Sequence, residues 1–517
     1  MKNILTPQEM KSADTFAIKR LHIPSLRLME RAGSAVVAEI ILRIPWNNEK
    51  QQRVLVICGK GNNGGDGFVV ARQLAEKKYT VTVVLIEKAE ELQGDAKINF
   101  QRLQYGNMSR LEIIDNTTYR KQKNKKYDVI VDAMLGTAFR GKLSGAYRSA
   151  VKWCNKQKTL KIAVDIPTGL NGETGEVLSD AFRADCTITM SYPKSGFYHG
   201  RAKEYTGVVL IADIGIPKKA IPQSNTQLVE TCDIQKSFPR RPVNSHKHSV
   251  GKVFVLAGSK SMTGAALFCS RAAMRSGAGQ VILGIPESEY SVIAKRTMEV
   301  MPIGLPSTRQ GSISQLAIGE IEQRIIWCDV VLIGCGMSRN EETLSLIREV
   351  IRNCSKPIVV DADGLNALIG NLAMMESKKN KSIVLTPHHG EFSRLTGIPV
   401  EEIAQDAFRL AFQFAKQYHV TLVLKGAPTV IAGPDGTVYV NPTGNPGMST
   451  AGSGDVLAGV ITALIGQGCS ATKAAINGVY LHGSAGDHAA TTIGQYGMLA
   501  GDILEFLPAA ITTMLNS

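Results

Sequence analysis

Residues 53–77 have the sequence RVLVICGKGNNGGDGFVVARQLAEK, in which an apolar run, a glycine cluster and an amphipathic segment follow one another. The apolar run, Arg53–Cys58, is short and rich in valine, as expected of a strand that is buried on both faces of a sheet. Residues 68–77 carry their apolar side chains at helical spacing. The order of strand, glycine turn and helix predicts one β-α unit of a mainly parallel α/β sheet.

The same alternation continues through the first half of the chain. The sequence predicts further strands at residues 80–86, 128–132, 161–165, 186–190 and 207–212, and an extra pair of helices within residues 6–40. The pattern then stops between residues 216 and 248, where prolines and a basic cluster leave only a weak strand candidate at 227–230. We therefore predict a first domain at residues 1–220 and a linker region at 221–246.

The alternation starts again in the second half, which we predict to be a second α/β domain at residues 247–517. Its predicted strands are at residues 252–257, 280–284, 330–334, 357–361, 382–386 and 420–424, with a hairpin formed by 429–432 and 437–440. Each half is long enough to have its own core.

Composition and charge set limits on function. The chain has 517 residues, 44% of them hydrophobic, and a formal net charge of +14. Such a charge suits either a nucleic-acid binder or an enzyme with phosphorylated substrates. The basic residues are scattered except for a run at 120–126, which is typical of a solvated loop, so we expect no nucleic-acid partner. Nine cysteines without a C-x-x-C pair, no signal peptide and no long apolar run predict a cytoplasmic protein without a membrane partner.

The first glycine cluster has two competing interpretations. Gly59, Gly61 and Gly64 match the G-x-G-x-x-G fingerprint of dinucleotide-binding oxidoreductases. Asp66 argues against that class, because we expect it at the helix N-terminus, where it would repel a pyrophosphate. The alternative is a purely structural role, in which Asp66 caps the helix and the preceding asparagines occupy left-handed turn positions.

Polar residues also follow two other predicted strands. Asp132 ends one strand, and Asp165 ends the next, three residues before Thr168. Ligands of open parallel sheets bind beyond the carboxyl ends of the strands. We therefore expect these residues to meet the glycine cluster at one edge of the sheet.

Three motifs in order, GNNGGDG at 61–67, DAMLGT at 132–137 and DIPTGL at 165–170, resemble those of the NAD(P)H-hydrate epimerase domain over about residues 1–215. The resemblance implies a Rossmann-like three-layer fold and interconversion of the R and S epimers of hydrated NADH or NADPH. It implies that a potassium ion is held by Asn63, Asp132 and Thr168, and that Asp165 binds the hydrate and does acid/base work at the nicotinamide C6 atom. The other implied hydrate contacts are Asn62, Asn63, Gly64, Gly65, Asp66, Gly136, Thr137, Ala138, Phe139, Arg140, Gly141 and Lys142. Ala138 and Phe139 stand where the family often has two small residues.

The second glycine cluster, NPTGNPGMSTAGSGD at 441–455, precedes a helix predicted at 456–465. Gly452 and Gly454 allow backbone N–H groups to point at an anion, and Asp455 stands at the helix start, where it can take a proton from a hydroxyl group. This is the arrangement that phosphoryl transfer needs. The loop is not a P-loop, because no Gly-Lys-Ser/Thr follows.

This cluster resembles the signature of ribokinase-like kinases, and three more motifs narrow the resemblance to the ADP-dependent NAD(P)H-hydrate dehydratase domain from about residue 247 onward. They are KGAPT at 425–429, TPHHGE at 386–391 and VDADGLN at 360–366. The resemblance implies a ribokinase-like α/β fold and phosphorylation of the C6 hydroxyl of the S-hydrate by ADP at a site with Mg²⁺. Loss of phosphate then restores NAD(P)H and leaves AMP. Asp455 would be the general base, and the implied hydrate contacts are Ala265, Gly336, His388 and Asp455. The implied ADP contacts are Lys425, Gly426, Ala427, Pro428, Thr429 and Gly454. His389 stands where the family commonly has proline.

The leading hypothesis is thus a bifunctional enzyme that repairs hydrated NAD(P)H, with small molecules as its partners and a homo-oligomeric state. A ribokinase-like vitamin or sugar kinase with a dinucleotide-binding N-terminal module is the alternative. A third possibility is that the first domain is a non-catalytic sensing or assembly module.

Overall fold

The computed structural model describes residues 1–47, 51–106, 108–119, 126–375 and 382–517, so most of the basic run at 120–126 lies outside the described residues. The chain begins with a two-residue strand, β1 (Lys2–Asn3). Two compact units follow from the pattern of contacts. One comprises residues 3–224, and the other comprises residues 1–2 with 225–517.

The first unit is built on a parallel sheet of seven strands in the order β4-β3-β2-β5-β6-β7-β8. The strands are β2 (Arg53–Cys58), β3 (Thr80–Leu85), β4 (Leu111–Asp115), β5 (Val129–Ala133), β6 (Leu160–Val164), β7 (Cys186–Met190) and β8 (Val208–Ala212). The helices are α1 (Pro7–Lys19), α2 (Ser25–Arg43), α3 (Asn62–Glu76), α4 (Gly94–Tyr105), α5 (Gly145–Asn155) and α6 (Lys203–Thr206). The extra helix pair predicted near the N-terminus corresponds to α1 and α2.

Strand β2 shows why this sheet has two cores. Its residues alternate in direction, so Val54 and Val56 pack into the apolar cluster on one face and Leu55 and Ile57 into the cluster on the other. A strand that is apolar on both sides requires helices on both faces. The predicted three-layer α/β arrangement is confirmed.

The first glycine cluster differs from its prediction. Helix α3 begins at Asn62 with Gly61 as its N-cap, rather than at residue 68. The asparagines therefore lie in the first helical turn and not in left-handed positions. Asp66 lies in the second turn, so its predicted place at the helix N-terminus is wrong. Close packing requires glycine in this first turn, because a Cβ atom on Gly64 would lie 1.8 Å from the carbonyl oxygen of Gly59.

The second unit contains an eleven-stranded sheet in the order β1-β9-β18-β17-β16-β15-β14-β13-β10-β11-β12. Its remaining strands are β9 (Thr226–Leu228), β10 (Lys252–Leu256), β11 (Gln280–Pro286), β12 (Met301–Leu305), β13 (Val330–Ile333), β14 (Ile358–Val360), β15 (Ile383–Leu385), β16 (Thr421–Leu424), β17 (Val430–Ala432) and β18 (Val438–Val440). The pairs β16–β17 and β17–β18 are antiparallel, and the second of these is the predicted hairpin. The strands from β15 through β12 in this order pair in parallel.

The helices of this unit cover both faces of its sheet, which separates two apolar cores. They are α7 (Thr231–Ser237), α8 (Thr263–Arg275), α9 (Tyr290–Ala294), α10 (Ile318–Trp327), α11 (Glu341–Asn353), α12 (Asp363–Ala367), α13 (His389–Thr396), α14 (Val400–Gln405), α15 (Ala407–Tyr418), α16 (Ser453–Gly466), α17 (Ala471–Ile493) and α18 (Ala500–Asn516). Strand β9 and helix α7 fall within the stretch predicted as a linker, and their contacts make them part of this unit. In the part of the chain that the structure describes, no helix is both long and apolar enough to cross a membrane.

Candidate active sites

The first candidate site lies at the carboxyl ends of β2, β5 and β6, three neighbouring strands. Asp132 of β5 accepts two hydrogen bonds from Thr168, one from its Oγ1 at 2.7 Å and one from its backbone N–H at 2.7 Å. Thr168 Oγ1 accepts from the N–H of Leu135 at 3.0 Å, and Asn63 Nδ2 donates to the carbonyl oxygen of Leu135 at 3.0 Å. The structure thus links Asn63, Asp132 and Thr168 through the Leu135 backbone.

These three side chains are almost inaccessible to solvent, with Asn63 7%, Asp132 0% and Thr168 1% exposed. Burial raises the pKa of Asp132 to about 6, and the hydrogen bonds from Thr168 oppose that rise. Asn63 Oδ1 is buried and has no hydrogen-bond partner among the described residues. Buried polar atoms are nearly always paired, so a carbonyl oxygen without such a partner, linked to a buried carboxylate through Leu135 and Thr168, fits a cation. These residues could hold a hard metal ion.

The segment at 136–142 meets this cluster at Gly136. A Cβ atom on Gly136 would lie 3.4 Å from the Cβ atom of Asn63. Further along, Arg140 donates to the carbonyl oxygens of Thr137 and Phe139 at 2.9 and 2.8 Å, and Phe139 packs against the apolar core. The structure leaves the predicted contacts Ala138, Arg140, Gly141 and Lys142 exposed, as it does Asn62, while Thr137 is partly buried. Gly64 and Gly65 are buried in α3.

Asp165 follows β6 and has a left-handed backbone with φ of 61°. Its Oδ1 atom accepts hydrogen bonds from Lys194 Nζ at 2.5 Å, Thr189 Oγ1 at 3.1 Å and the Met190 N–H at 3.1 Å. The Lys194 side chain is 1% exposed. Sequence reasoning missed Lys194, although a lysine shortly after a buried strand, in Tyr192-Pro193-Lys194, was an available signal.

The second candidate site lies where β14 and β16 end and α16 begins. Lys425 Nζ lies 2.8 Å from Asp361 Oδ1 and 3.8 Å from Glu391 Oε2. A Cβ atom on Gly454 would lie 3.2 Å from Lys425 Nζ, so the ammonium group is next to the first turn of α16. Gly452, the N-cap of α16, has φ of 92°, which a glycine adopts without strain. Burial favours the neutral amine of Lys425, but the carboxylates of Asp361 and Glu391 outweigh it and raise its pKa.

Asp455 lies in the first turn of α16, as predicted. Burial raises its pKa to about 6, and Asp361 adds to the rise, while the Cys335 thiol and Lys425 lower it. One ligand atom each of Cys335, Asp361 and Asp455 lie within 4.8 Å of one another. Carboxylate oxygens suit Mg²⁺ and a thiol does not, so the two aspartates are the ligands that fit this ion. Asp361 and Glu391 lie in two of the sequence motifs, but the sequence predicted no role for them.

The other predicted hydrate contacts of this unit are the neighbours Ala265 and Gly336, and the helix cap His388. Gly336 has φ of 63°, and a Cβ atom on it would lie 2.9 Å from the Cβ atom of Ala265, so these two predicted hydrate contacts are neighbours. His388 caps α13: its Nδ1 atom accepts from the N–H groups of Gly390 and Glu391 at 3.0 and 3.3 Å. Burial lowers the pKa of His388. His389, the departure from the family pattern, is simply the first residue of α13.

The segment that follows Lys425 is a tight loop between β16 and β17. Thr429 Oγ1 donates to the carbonyl oxygen of Gly426 at 3.1 Å, and the bond between Ala427 and Pro428 is cis. Five of the six predicted ADP contacts, residues 425–429, therefore lie on one short loop that begins at the Lys425–Asp361 ion pair, and the sixth, Gly454, lies in the first turn of α16.

Two units with mainly parallel sheets, each with buried carboxylates near a glycine-rich helix start, define an α/β enzyme with two candidate active sites. Comparison with known proteins agrees with this division. Residues 25–196 match the family model described as YjeF-related protein N-terminus, and residues 253–509 match that of NAD(P)H-hydrate dehydratase.

Full-length relatives join both halves. The chain is 40% identical to the bifunctional NAD(P)H-hydrate repair enzyme Nnr of Moorella thermoacetica over 99% of its own length and 97% of that protein. It is 38% identical to the protein of the same name from Thermofilum pendens, over 98% of its own length and 95% of that protein. A crystal structure of the ADP/ATP-dependent NAD(P)H-hydrate dehydratase of Bacillus subtilis, co-crystallised with ATP and Mg²⁺, is 28% identical with a TM-score of 0.48; it aligns with 56% of this chain and 100% of that one. The chain belongs to the family of bifunctional NAD(P)H-hydrate repair enzymes.

Proposed function

We propose that the first domain interconverts the R and S epimers of hydrated NADH or NADPH at C6, and that the second converts the S-hydrate to NAD(P)H at the expense of ADP. The observation that carries this proposal is the identity of 40% to a bifunctional repair enzyme across 99% of the chain. The two buried carboxylate sites support it, one in each unit. We assign the epimerase to residues 1–220 and the dehydratase to residues 247–517, and homo-oligomerisation stays a prediction.

In the first domain, Asn63, Asp132 and Thr168 would hold a potassium ion. The Oδ1 atom of Asn63, for which the described part of the chain offers no hydrogen-bond partner, supports this assignment, since amide, carboxylate and hydroxyl oxygens are the donors that a hard cation prefers. The bound cation would supply positive charge at the site. The hydrate would contact the start of α3 and the segment at 136–142, and Asp165 would exchange protons with its C6 hydroxyl region.

In the second domain, Asp455 would act as general base. It would take the proton of the C6 hydroxyl, whose oxygen then attacks the β-phosphorus of ADP as AMP leaves. Cleavage of the C6–O bond releases phosphate, and loss of a proton from C5 restores the double bond of NAD(P)H. The base works beside an ion pair of 2.8 Å between Lys425 and Asp361, which keeps a cationic donor next to the anionic substrates.

The remaining contacts of the second site follow from this arrangement. The loop at 425–429 and the N–H group of Gly454 would bind ADP, while Ala265, Gly336 and His388 would line the hydrate pocket. Asp361, with Asp455 close by, would hold Mg²⁺, which neutralises phosphate charge when bound.

The test compares the amounts of the three products that the reaction should release. The protein is incubated with purified S-hydrate and ADP, and NADH absorbance, AMP and inorganic phosphate are measured together. We expect the three products in equal amounts. Turnover with ATP but not with ADP would contradict the donor assignment, and a stable phosphoester product would favour the small-molecule kinase.

A further inference from the structure

The glycine fingerprint of the first unit continues into an acidic residue that has no role in either proposed site. Gly59 and Gly61 lie between β2 and α3, and Gly64 lies in the first turn of α3. Glu87 follows β3, the strand beside β2, by two residues. In dinucleotide-binding sheets an acidic residue at this place, about 20 residues after the glycines, binds a ribose hydroxyl group. Hydrated NADH is itself a dinucleotide.

Glu87 lies next to the glycine turn. The N–H group of Ile86 donates to the carbonyl oxygen of Cys58 at 3.0 Å, which joins the ends of β3 and β2. The carboxylate of Glu87 accepts a hydrogen bond from the hydroxyl group of Tyr147, on α5. A Cβ atom on Gly59 would lie 3.1 Å from that same hydroxyl oxygen. Three elements therefore bring Glu87, Tyr147 and Gly59 together at the carboxyl edge of the sheet.

The two oxygens of the Glu87 carboxylate have different partners. Oε1 accepts from Tyr147, whose pKa is raised by burial and further by Glu87, so the phenol keeps its proton and donates it. Oε2 is buried and, in the part of the chain that the structure describes, has no hydrogen-bond partner. Buried polar atoms are nearly always paired, and a carboxylate oxygen can only accept. Glu87 as a whole is partly exposed, and a hydroxyl group of a ligand is the kind of donor that Oε2 lacks.

The spacing between Glu87 and the proposed reaction centre suits a dinucleotide. Glu87 follows β3 and Asp165 follows β6, with β2 and β5 between these strands in the sheet. Neighbouring strands lie about 4.8 Å apart, so three spacings separate the two strand ends by roughly 14 Å. An extended dinucleotide with its nicotinamide at Asp165 and its pyrophosphate at the glycine turn would have its adenosine ribose on the β3 side.

We propose that Glu87 is a substrate-binding residue of the first site, whose Oε2 atom accepts a hydrogen bond from the 2′-hydroxyl group of the adenosine ribose. Tyr147 holds the other oxygen and is its positioning residue. NADPH-hydrate has a phosphate in place of this hydroxyl group and offers acceptors where Glu87 needs a donor, so the first site prefers NADH-hydrate. This preference rests on the proposed epimerase function.

The test measures kcat/KM for epimerisation of NADH-hydrate and of NADPH-hydrate by the full-length protein and by Glu87→Gln. Interconversion of the purified epimers is followed by chromatography without ADP, and the uncatalysed rate is subtracted. We expect the unsubstituted protein to favour NADH-hydrate about tenfold, because a buried acceptor without its donor weakens binding by that order. Glutamine keeps one oxygen for Tyr147 and presents an N–H donor in place of Oε2. Glu87→Gln should therefore lose activity on NADH-hydrate about tenfold and gain activity on NADPH-hydrate.

The matched control is Glu90→Gln, which makes the same chemical change at an exposed residue three positions further along the chain and leaves the preference unchanged. Turnover of NADPH-hydrate by Glu87→Gln shows that the first unit of this variant is folded. If the variant does not fold, inhibition of epimerisation in the unsubstituted protein carries the test, and ADP-ribose should inhibit about tenfold more strongly than its 2′-phosphorylated form.

A purely structural role of Glu87 would change the activity on both hydrates by the same factor. Equal kcat/KM for the two hydrates in the unsubstituted protein, or an equal loss on both in Glu87→Gln, would overturn the role of Glu87. Absence of epimerisation of either hydrate by the unsubstituted protein would instead overturn the proposed function.

Discussion

At the scale of single residues, Asp455 has a pKa suited to a base that works near neutral pH. Burial, followed by the charge of Asp361, raises this pKa to about 6. A general base acts only when ionised, so we expect kcat/KM for dehydration of S-hydrate to fall as the pH drops through about 6. Asp455→Asn should lower kcat by roughly 10²–10⁴-fold, measured from NADH absorbance. The exposed turn residue Asp435, as Asp435→Asn, serves as control; equal rates for the two variants would contradict the assignment.

Asp132 allows a second test at this scale, directed at the potassium ion. We expect epimerisation to increase with added K⁺ at constant ionic strength, and Asp132→Asn to weaken the apparent K⁺ affinity at least on the order of tenfold. Because burial raises the pKa of Asp132 to about 6, protons compete with the cation, and K⁺ activation should weaken as the pH falls below that value. Thr117→Ala, a substitution of an exposed turn residue, is a control. A K⁺ response that is the same in Asp132→Asn would argue against this site.

The residues of the first site could be predicted in part. Asn63, Asp132 and Thr168 follow strands that are neighbours in the sheet, and the ends of parallel strands meet at one edge. The contact of Lys194 with Asp165 could not be derived in the same way, because no periodic spacing connects residues 29 positions apart in the chain.

At the scale of elements, the start of α3 depends on close packing. A Cβ atom on Gly64 would collide with the Gly59 carbonyl oxygen, whereas one on Gly61 would meet nothing within 4 Å. We therefore expect Gly64→Ala to lower the free energy of unfolding by about 1–3 kcal/mol, and Gly61→Ala to change it much less. Urea denaturation of the two full-length variants, followed by circular dichroism, measures the difference. Equal midpoints would show that this packing does not constrain the helix.

The sequence patterns misplaced two helix starts and missed two edge strands. Both α3 and α16 begin several residues before their predicted starts, at Asn62 and Ser453, because glycine and asparagine are poor helix formers and hide the first turn. Strand β4 was not predicted, since it lies at the edge of its sheet with exposed and partly exposed residues in place of a buried apolar run. Strand β12 is likewise an edge strand. Buried central strands, which carry the site residues, were located from the sequence to within one or two residues.

At the scale of the whole molecule, the central claim is that one unit epimerises the hydrate and the other dehydrates it. The sequence pattern indicated two α/β domains, and the internal contacts of the chain divide it into two units after residue 224. Strand β9 and helix α7 belong to the second unit, although their stretch was predicted as a linker. The strand has three residues, which are too few to show the alternation of a strand in the sequence. The function of each unit was predicted from its motifs and not from its fold, since parallel α/β sheets support many chemistries.

The most direct test of this division uses a mixture of R- and S-hydrate with ADP, over a time in which the free hydrates do not interconvert. NADH absorbance is followed to its end point for the unsubstituted protein, Asp165→Asn and Asp455→Asn. We predict conversion of both epimers by the unsubstituted protein, conversion of the S share alone by Asp165→Asn, and no NADH from Asp455→Asn. An end point at the S share for the unsubstituted protein, or full conversion by Asp165→Asn, would contradict the account.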